Sequence, residues 1–233
     1  MNNLKENLHN VRARVEQACK KAGRNPSGVT ILAVSKKHPA SRIRQLCGYG
    51  QAAFGENYVQ EALGKQVQLA DLPIEWHFIG PLQSNKTREV AAHFAWVQSV
   101  ERPKTLRRLS EQRPAELPAL NVCIQVNIDR EPQKAGVMPE EAGELALLAA
   151  NQPNIRLRGL MTIPRIAGED HDPTDSYRRM HQLYRQLQEA GIGMDTLSMG
   201  MSGDLEQAIL QGSTMVRVGT DLLGPRPDDA AVA

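Results

Sequence analysis

The sequence predicts a single (β/α)8 barrel, a TIM barrel of the α/β class, and three observations support it. Eight short apolar runs of strand type recur along the chain, and helical spacing follows most of them. Strands that alternate with helices form parallel βαβ units, and eight such units close into a barrel. The length of 233 residues suits one such domain. The alternative is an open doubly wound sheet, which would carry a glycine-rich turn where residues 35–38 read Ser-Lys-Lys-His.

The elements follow one another in a regular order. Leu4, Leu8, Val11 and Val15 recur at helical spacing, so the chain opens with an amphipathic helix that ends near Gly23. Because little chain follows the eighth strand, we expect this helix to serve as the eighth outer helix. The predicted strands are residues 29–34, 52–57, 76–80, 96–100, 120–128, 157–163, 196–200 and 214–219. The predicted helices between them are residues 39–48, 59–69, 84–93, 103–112, 139–150, 175–190 and 205–210, several of which begin at a proline.

Composition excludes several classes of function. A formal net charge of +2 predicts no strong attraction to nucleic acid or to anionic membranes, and 4% aromatic residues offer few stacking platforms. The three cysteines are scattered, and the first residues carry charges in place of a signal peptide. No apolar run is long enough to span a membrane, and no His, Asp or Glu set has metal-site spacing. We expect one cytoplasmic domain over residues 1–233, with residues 225–233 as a disordered tail.

Polar and small residues follow the predicted strands, at the end of a barrel where active sites are built. They are Lys36, Asn57, Gly80, Asn127, Met161, residues 198–202, Gly219 and Thr220. Lys36 is the most reactive type among them, because a lysine that loses hydration has a lower pKa and its amine can attack a carbonyl. The alternative is a surface lysine that happens to follow a strand. His77 lies within the third strand, which favours a core or rim histidine over a base.

The loops after strands 7 and 8 predict a phosphate site. Ser202 is a plausible N-cap for the short helix over residues 205–210, and Gly219 and Thr220 add donors after strand 8. The alternative is a capped helix and a tight turn, since Asp204 and Glu206 would repel an anion unless they point away. Arg217 has the parity of an interior residue and needs a partner there. That partner is either a core carboxylate such as Glu56 or a bound ligand.

Five segments in order resemble the pyridoxal phosphate homeostasis protein family, the single-domain barrel relatives of alanine racemase. The most specific is Trp-His-Phe-Ile-Gly-Pro-Leu-Gln-Ser-Asn-Lys at residues 76–86. The others are residues 33–36, 54–58, 197–202 and 216–220. The resemblance covers nearly the whole chain. It implies a fold-type III barrel that binds pyridoxal 5′-phosphate (PLP).

The resemblance also implies roles for individual residues. Lys36 would hold PLP as a Schiff base, and Lys134 would mark a secondary cofactor site. The implied phosphate contacts are Ser198, Ser202, Gly219 and Thr220. The implied neighbours of the ring are Asn57, Met161 and Arg217. Two departures put secondary capture in doubt: His38 stands where family members often carry a lysine, and the tail lacks the lysines of some members.

The implied function is vitamin B6 homeostasis without catalysis, with PLP held and passed to apoenzymes by a monomeric protein. An arginine facing the ring nitrogen disfavours ring protonation, which weakens the electron sink that racemisation needs. The chain also has no second domain to deliver an opposing acid or base. The alternatives are a low-activity PLP-dependent amino-acid racemase and a phosphate-ligand barrel without aldehyde chemistry.

Overall fold

The strands pair in chain order and close on themselves, which confirms the predicted barrel. The computed structural model describes residues 3–165 and 172–225. Every strand pair is parallel, and the first strand also pairs with the last. The strands are β1 Thr30–Val34, β2 Ala53–Glu56, β3 Glu75–Phe78, β4 Trp96–Val100, β5 Leu120–Gln125, β6 Ile155–Met161, β7 Thr196–Met201 and β8 Met215–Val218.

Helices surround this barrel. They are α1 Leu4–Lys21, α2 Ala40–Gly48, α3 Val59–Gln68, α4 Thr87–His93, α5 Pro103–Gln112, α6 Ala142–Ala150, α7 Pro173–Glu189, α8 Leu205–Leu210 and α9 Thr220–Leu223. Helix α1 packs against α2, α8 and α9, so it fills the position of the eighth outer helix, as expected. Its first turn is capped by the Asn3 side chain, which accepts a hydrogen bond from the backbone N–H of Glu6. In the part of the chain described, no helix has the length and apolar character needed to cross a bilayer.

Two apolar layers follow from the alternation of side chains along each strand. The larger layer lies between the strands and the helices and includes Phe54, Val97 and Leu160. The smaller layer fills the barrel interior. Its buried members are Leu32, Ala53, Trp96, Cys123, Met161 and Met215. The barrel is therefore filled by side chains at its centre, and a ligand site has to lie toward one end.

The predicted strands 3, 5 and 6 run two or three residues past the observed ends, and strand 3 ends at Phe78 and not at residue 80. Strand 5 ends at Gln125 and not at residue 128, because Asn127 starts a turn. The Asn127 side chain accepts a hydrogen bond from the N–H of Glu131 and donates one to its carbonyl oxygen. Strand 6 ends at Met161 and not at residue 163. Helix α9 was not predicted, and the predicted tail over residues 225–233 lies outside the described residues from 226 onward.

Candidate functional site

The predicted site residues lie around one end of the barrel because all eight strands run in the same direction. Lys36 follows β1, which pairs with β2 on one side and with β8 on the other. Asn57 directly follows β2, and Gly219 directly follows β8. A Cβ atom built on Gly219 would lie 3.6 Å from the Cβ of Val34, so these two strand ends pack closely. Lys36, Asn57 and Gly219 are therefore neighbours on the rim.

Lys36 lies in a tight turn over residues 35–38, which we call the Lys36 turn. The N–H of His38 donates to the carbonyl oxygen of Ser35 at 3.1 Å. Lys37 has a φ of 64°, and its N–H donates to Oε1 of Glu61 at 2.5 Å. Lys36 itself is half-buried. This position agrees with the predicted placement at the mouth of the barrel and not with a fully exposed surface lysine.

A buried cluster of charges supports the Lys36 turn from below. Oε1 of Glu56 accepts hydrogen bonds from Oγ of Ser35 at 2.6 Å and from Nζ of Lys65 at 2.7 Å. Nζ of Lys65 also donates to Oε1 of Glu61 at 2.6 Å. Burial raises the pKa of Glu56, and the nearby Lys65 charge opposes that rise. The cluster ties the turn to β2 and α3.

Arg217 does not pair with Glu56, the core carboxylate that was one of the two alternatives for its partner. Glu56 is taken by Lys65, whereas Arg217 donates to Oγ of Ser198 and to the carbonyl oxygen of Thr162, both at 2.8 Å. Arg217 is 5% exposed and faces the interior, as its parity predicted. It makes no ion pair with any carboxylate of residues 3–165 and 172–225. Burial lowers the pKa of Arg217, but an arginine stays charged in a protein. The site therefore holds a cation whose direct partners, among the described residues, are neutral.

Asn57 presents an unsatisfied acceptor at the same rim. Its Oδ1 is buried and has no hydrogen-bond partner in the part of the chain that the structure describes, which is costly for a buried polar atom. The backbone of Asn57 passes directly over Gly80, where a Cβ atom would lie 2.1 Å from the carbonyl oxygen of Asn57. Only glycine fits at position 80. Met161 ends β6 and is fully buried.

The two acidic residues near the loop between β7 and α8, Asp204 and Glu206, have hydrogen-bond partners of their own. Asp204 accepts hydrogen bonds from the N–H of Met201 at 2.6 Å and from the hydroxyl of Tyr177 at 2.8 Å. Glu206 pairs with Arg14, at 2.6 Å. The helix begins after Asp204, so the predicted N-cap role of Ser202 is wrong. Glu206 is neutralised by Arg14, whereas Asp204 is held by two neutral donors.

Backbone donors remain on this loop and on the one after β8. In the described ranges, the N–H groups of Ser202 and Gly203 donate to no acceptor. Ser202 and Gly219 are half-buried, and Thr220 is exposed as the first residue of α9. These residues were predicted to contact phosphate, and that role stays a prediction.

Ser198 occupies a different environment from the other predicted phosphate contacts. It is fully buried, accepts from Arg217, and donates to Oε1 of Gln98 at 2.7 Å. A phosphate contact would require this hydroxyl to leave Gln98. Neither Gln98 nor Thr162 was predicted as a site residue. The available signal for Gln98 was a polar residue at inward parity in the apolar strand over residues 96–100.

Lys134 lies apart from the Lys36 turn, in the loop after β5. Its Nζ donates to the carbonyl oxygen of Pro164 at 2.8 Å and lies 3.4 Å from Oε1 of Glu131. It lines a cavity of about 490 Å³ together with Glu101, Glu144 and Leu145. The secondary cofactor site implied at Lys134 stays a prediction.

Comparison with known proteins places this geometry in a family. A family model described as alanine racemase, N-terminal domain, matches residues 6–227. The pyridoxal phosphate homeostasis protein of Pseudomonas aeruginosa is 53% identical over 226 residues, which is 97% of this chain and 97% of the relative. The protein of the same name from Escherichia coli K12 is 48% identical over 236 residues, covering 97% of this chain and 98% of the relative.

Solved structures agree with these matches. PipY of Synechococcus elongatus, solved with PLP bound, has a TM-score of 0.83 and 34% identity, over 95% of this chain and 100% of PipY. Alanine racemase from Corynebacterium glutamicum has a TM-score of 0.68 at 18% identity, over 96% of this chain and 61% of the racemase, and that likeness concerns the fold alone. The chain belongs to the pyridoxal phosphate homeostasis protein family, within the alanine racemase N-terminal domain family.

Proposed function

We propose that this chain binds pyridoxal 5′-phosphate at the rim of the barrel and acts in PLP homeostasis by holding the cofactor. The observation that carries the proposal is Arg217, a buried cation whose direct hydrogen-bond partners among the described residues are neutral. Such a group favours an anionic or electron-rich ligand next to it. The unsatisfied Oδ1 of Asn57 supports a ligand at the same rim. PipY, which was solved with PLP bound, supports PLP as that ligand.

Lys36 is the residue that we assign to the aldehyde of PLP. Its amine nitrogen attacks the aldehyde carbon, and the carbonyl oxygen leaves with the two amine hydrogens as water. A carbon–nitrogen double bond, the Schiff base, remains. The buried Glu56–Lys65 cluster holds the turn that carries Lys36. The backbone that carries Lys36 is therefore held by groups that do not take part in the bond.

The phosphate of PLP is assigned to the loops after β7 and β8. Backbone amides near Ser202 and groups at Gly219 and Thr220 can donate to its oxygens. Ser198 is assigned to Arg217 in preference to the phosphate, because its hydroxyl already donates to Gln98. Met161 and Arg217 would border the ring, with Asn57 on the β2 side.

Binding without turnover is the form of the function that the residues support best. Arg217 donates hydrogen bonds only, so a ring nitrogen that faces it accepts and stays unprotonated. An unprotonated ring is a weaker electron sink for a carbanion. Tyr58, the tyrosine nearest to Asn57 in the chain, is 51% exposed at the start of α3.

We further propose that the protein works as a cytoplasmic monomer and passes PLP to apoenzymes.

The visible absorption spectrum of the PLP-loaded protein, before and after borohydride, tests this function. We expect an absorption band that borohydride removes and that Lys36→Ala abolishes, whereas the exposed control Lys104→Ala keeps it. A colourless protein that borohydride leaves unchanged would support a phosphate-ligand barrel instead. Incubation with single amino-acid enantiomers tests turnover. Sustained racemisation that depends on Lys36 would contradict a function without catalysis.

A further inference from the structure

Five polar side chains form one hydrogen-bond chain through the barrel interior. Arg217 donates to Oγ of Ser198 at 2.8 Å, and Ser198 donates to Oε1 of Gln98 at 2.7 Å. Nε2 of Gln98 lies 3.0 Å from Nδ1 of His77, and Nε2 of His77 lies 2.9 Å from Oε1 of Glu75. We call these five residues the interior relay. It crosses β8, β7, β4 and β3.

The relay connects the two ends of the barrel. Arg217 lies near the carboxyl ends of the strands, two residues before Gly219. Glu75 is the first residue of β3, at the opposite end, and its side chain is 49% exposed. The three side chains between them are buried, and Ser198, Gln98 and His77 are each 0% exposed. The relay therefore connects solvent at one end of the barrel to the rim where we place the cofactor at the other.

The donors in the relay all point in the same direction. Arginine only donates, so the Ser198 oxygen accepts from Arg217 and the serine hydrogen is left for Oε1 of Gln98. The amide of Gln98 must then present Nε2 to His77, whose Nδ1 has to be the unprotonated, accepting nitrogen. The hydrogen of His77 is therefore on Nε2, where it donates to the Glu75 carboxylate, which only accepts. The polarity is thus fixed at both ends, by a cation and by an anion.

The contacts around the middle of the relay oppose its reversal. The second hydrogen of the Gln98 amide faces Sδ of Met215 at 3.1 Å, so a flipped amide would place its oxygen against the sulfur. His77 stacks on Trp96, with ring centroids 4.9 Å apart and planes 11° apart, which fixes its orientation. Burial lowers the pKa of His77, and so does the charge of Arg158, while Glu75 raises it. The neutral ring that the relay requires is the form that burial favours.

We propose that Gln98 and His77 are positioning residues that orient Arg217 for the cofactor, and that Glu75 is the terminal acceptor that fixes the direction of the relay. This inference rests on the proposed PLP site. It explains how the guanidinium of Arg217 is held in one orientation, since the relay fixes the direction of the Ser198 hydroxyl that accepts from it. Two of its N–H groups are held by Ser198 and Thr162. Within residues 3–165 and 172–225 its other N–H groups make no hydrogen bond, and they remain for a ligand.

The tautomer of His77 tests the relay in the protein without PLP. Two-bond proton–nitrogen correlation spectra distinguish a ring hydrogen on Nε2 from one on Nδ1. We expect the Nε2–H form in the wild type and in Glu75→Gln, which keeps an acceptor. Glu75→Ala should lose the strict preference for Nε2–H. A wild-type His77 with its hydrogen on Nδ1, or charged at neutral pH, would overturn the relay whether or not PLP binds.

Retention of PLP during dialysis tests the link to the cofactor. Gln98→Met keeps the side-chain volume but breaks the relay, and Glu75→Ala removes its far end. We expect each to lower PLP retention by roughly 2- to 30-fold, the range for coupling through a packed network. Glu75→Gln and the exposed control Glu111→Ala should retain PLP as the wild type does.

Thermal melts distinguish positioning from folding. Variants whose melts match the wild type but which lose PLP faster support the proposal. Equal retention by Gln98→Met, Glu75→Ala and wild type would overturn it. A wild type that takes up no PLP would contradict the proposed function, and the His77 tautomer would still decide whether the relay exists.

Discussion

Nζ of Lys65 lies 2.7 Å from the carbonyl oxygen of Ser35, the residue that precedes Lys36 in the chain. Lys65 is 5% exposed, and the same ammonium also contacts Glu56 and Glu61. One buried cation therefore connects the backbone of the Lys36 turn to a strand and to a helix. This contact makes the Lys36 turn a part of the folded core.

Lys65→Met should destabilise the protein strongly because it leaves Glu56 buried beside no cation. Removing one partner of a buried ion pair costs about 3–5 kcal/mol. The free energy of unfolding, measured by urea titration, checks this value. The double variant Lys65→Met with Glu56→Gln should recover much of the loss, since no uncompensated charge remains. Equal stability of Lys65→Met and wild type would contradict the role of the cluster.

The loss of stability in Lys65→Met should also depend on pH. The pKa of Glu56 is already raised by burial, and removing Lys65 raises it further. In the variant the folded state binds this proton more tightly than the unfolded state does. Its stability should therefore fall as the pH rises above the ordinary range of a glutamate, and improve toward acid. Unfolding at several pH values measures this slope, and a loss that is equal at all pH values would contradict it.

Gly80→Ala should damage the rim because a Cβ atom would lie 2.1 Å from the carbonyl oxygen of Asn57. The backbone must move, at a cost of about 1–3 kcal/mol, and Asn57 moves with it. We expect weaker PLP retention as well as a lower melting temperature. Gly64→Ala is the matched control, since nothing lies within 4 Å of a Cβ there and alanine favours a helix by about 1 kcal/mol. If Gly80→Ala has the melting temperature and the PLP retention of the wild type, the prediction is contradicted.

Arg217→Met should weaken PLP retention by roughly 10- to 150-fold while the barrel stays folded, as expected for losing a charged hydrogen bond of about 1.5–3 kcal/mol. The methionine fills most of the buried volume. Arg113→Met is the control, because Arg113 is also buried and donates to the carbonyl oxygens of Ala91 and Phe94 away from the rim. It should lower stability and leave PLP retention unchanged. The reverse pattern for the two variants would contradict the placement of the site.

Acid should destabilise the protein through His77. Its pKa is lowered by burial, so below the ordinary histidine pKa of about 6.5 the unfolded state binds a proton that the folded state does not. Stability should fall as the pH drops through this range, by up to about 1.4 kcal/mol per pH unit for one proton. His77→Gln should reduce the slope. Burial also lowers the pKa of His181, so His181→Gln should reduce it separately, and an unchanged slope in both variants would contradict this account.

Local sequence pattern predicts much of the barrel and of its rim. Lys36 and Gly219 follow strands whose apolar character is visible in the chain, and parity alone predicted that Arg217 faces inward. The error at strand 5 has a local cause, because the Asn127 turn interrupts an apolar run that continues to Ile128. Similarly, Ser202 looked like an N-cap, but Asp204, two residues later, holds the N-cap position of α8.

Local sequence pattern does not predict the partners of the buried polar groups. Ser198 bonds Gln98, which is 100 positions away in the sequence, and no spacing rule connects them. Pairing of Glu56 with Arg217 was a reasonable expectation from charge. Lys65 lies nine positions from Glu56, and the packing of α3 against β2 brings it closer than any pattern indicates. Such contacts depend on which strands become neighbours and on how far each side chain reaches.

Peptide mapping of the borohydride-reduced, PLP-loaded protein tests the central claim most directly. The account predicts that the pyridoxyl group is attached to Lys36 in the peptide that follows β1. An unmodified Lys36, with the label absent or carried by another lysine alone, would contradict it.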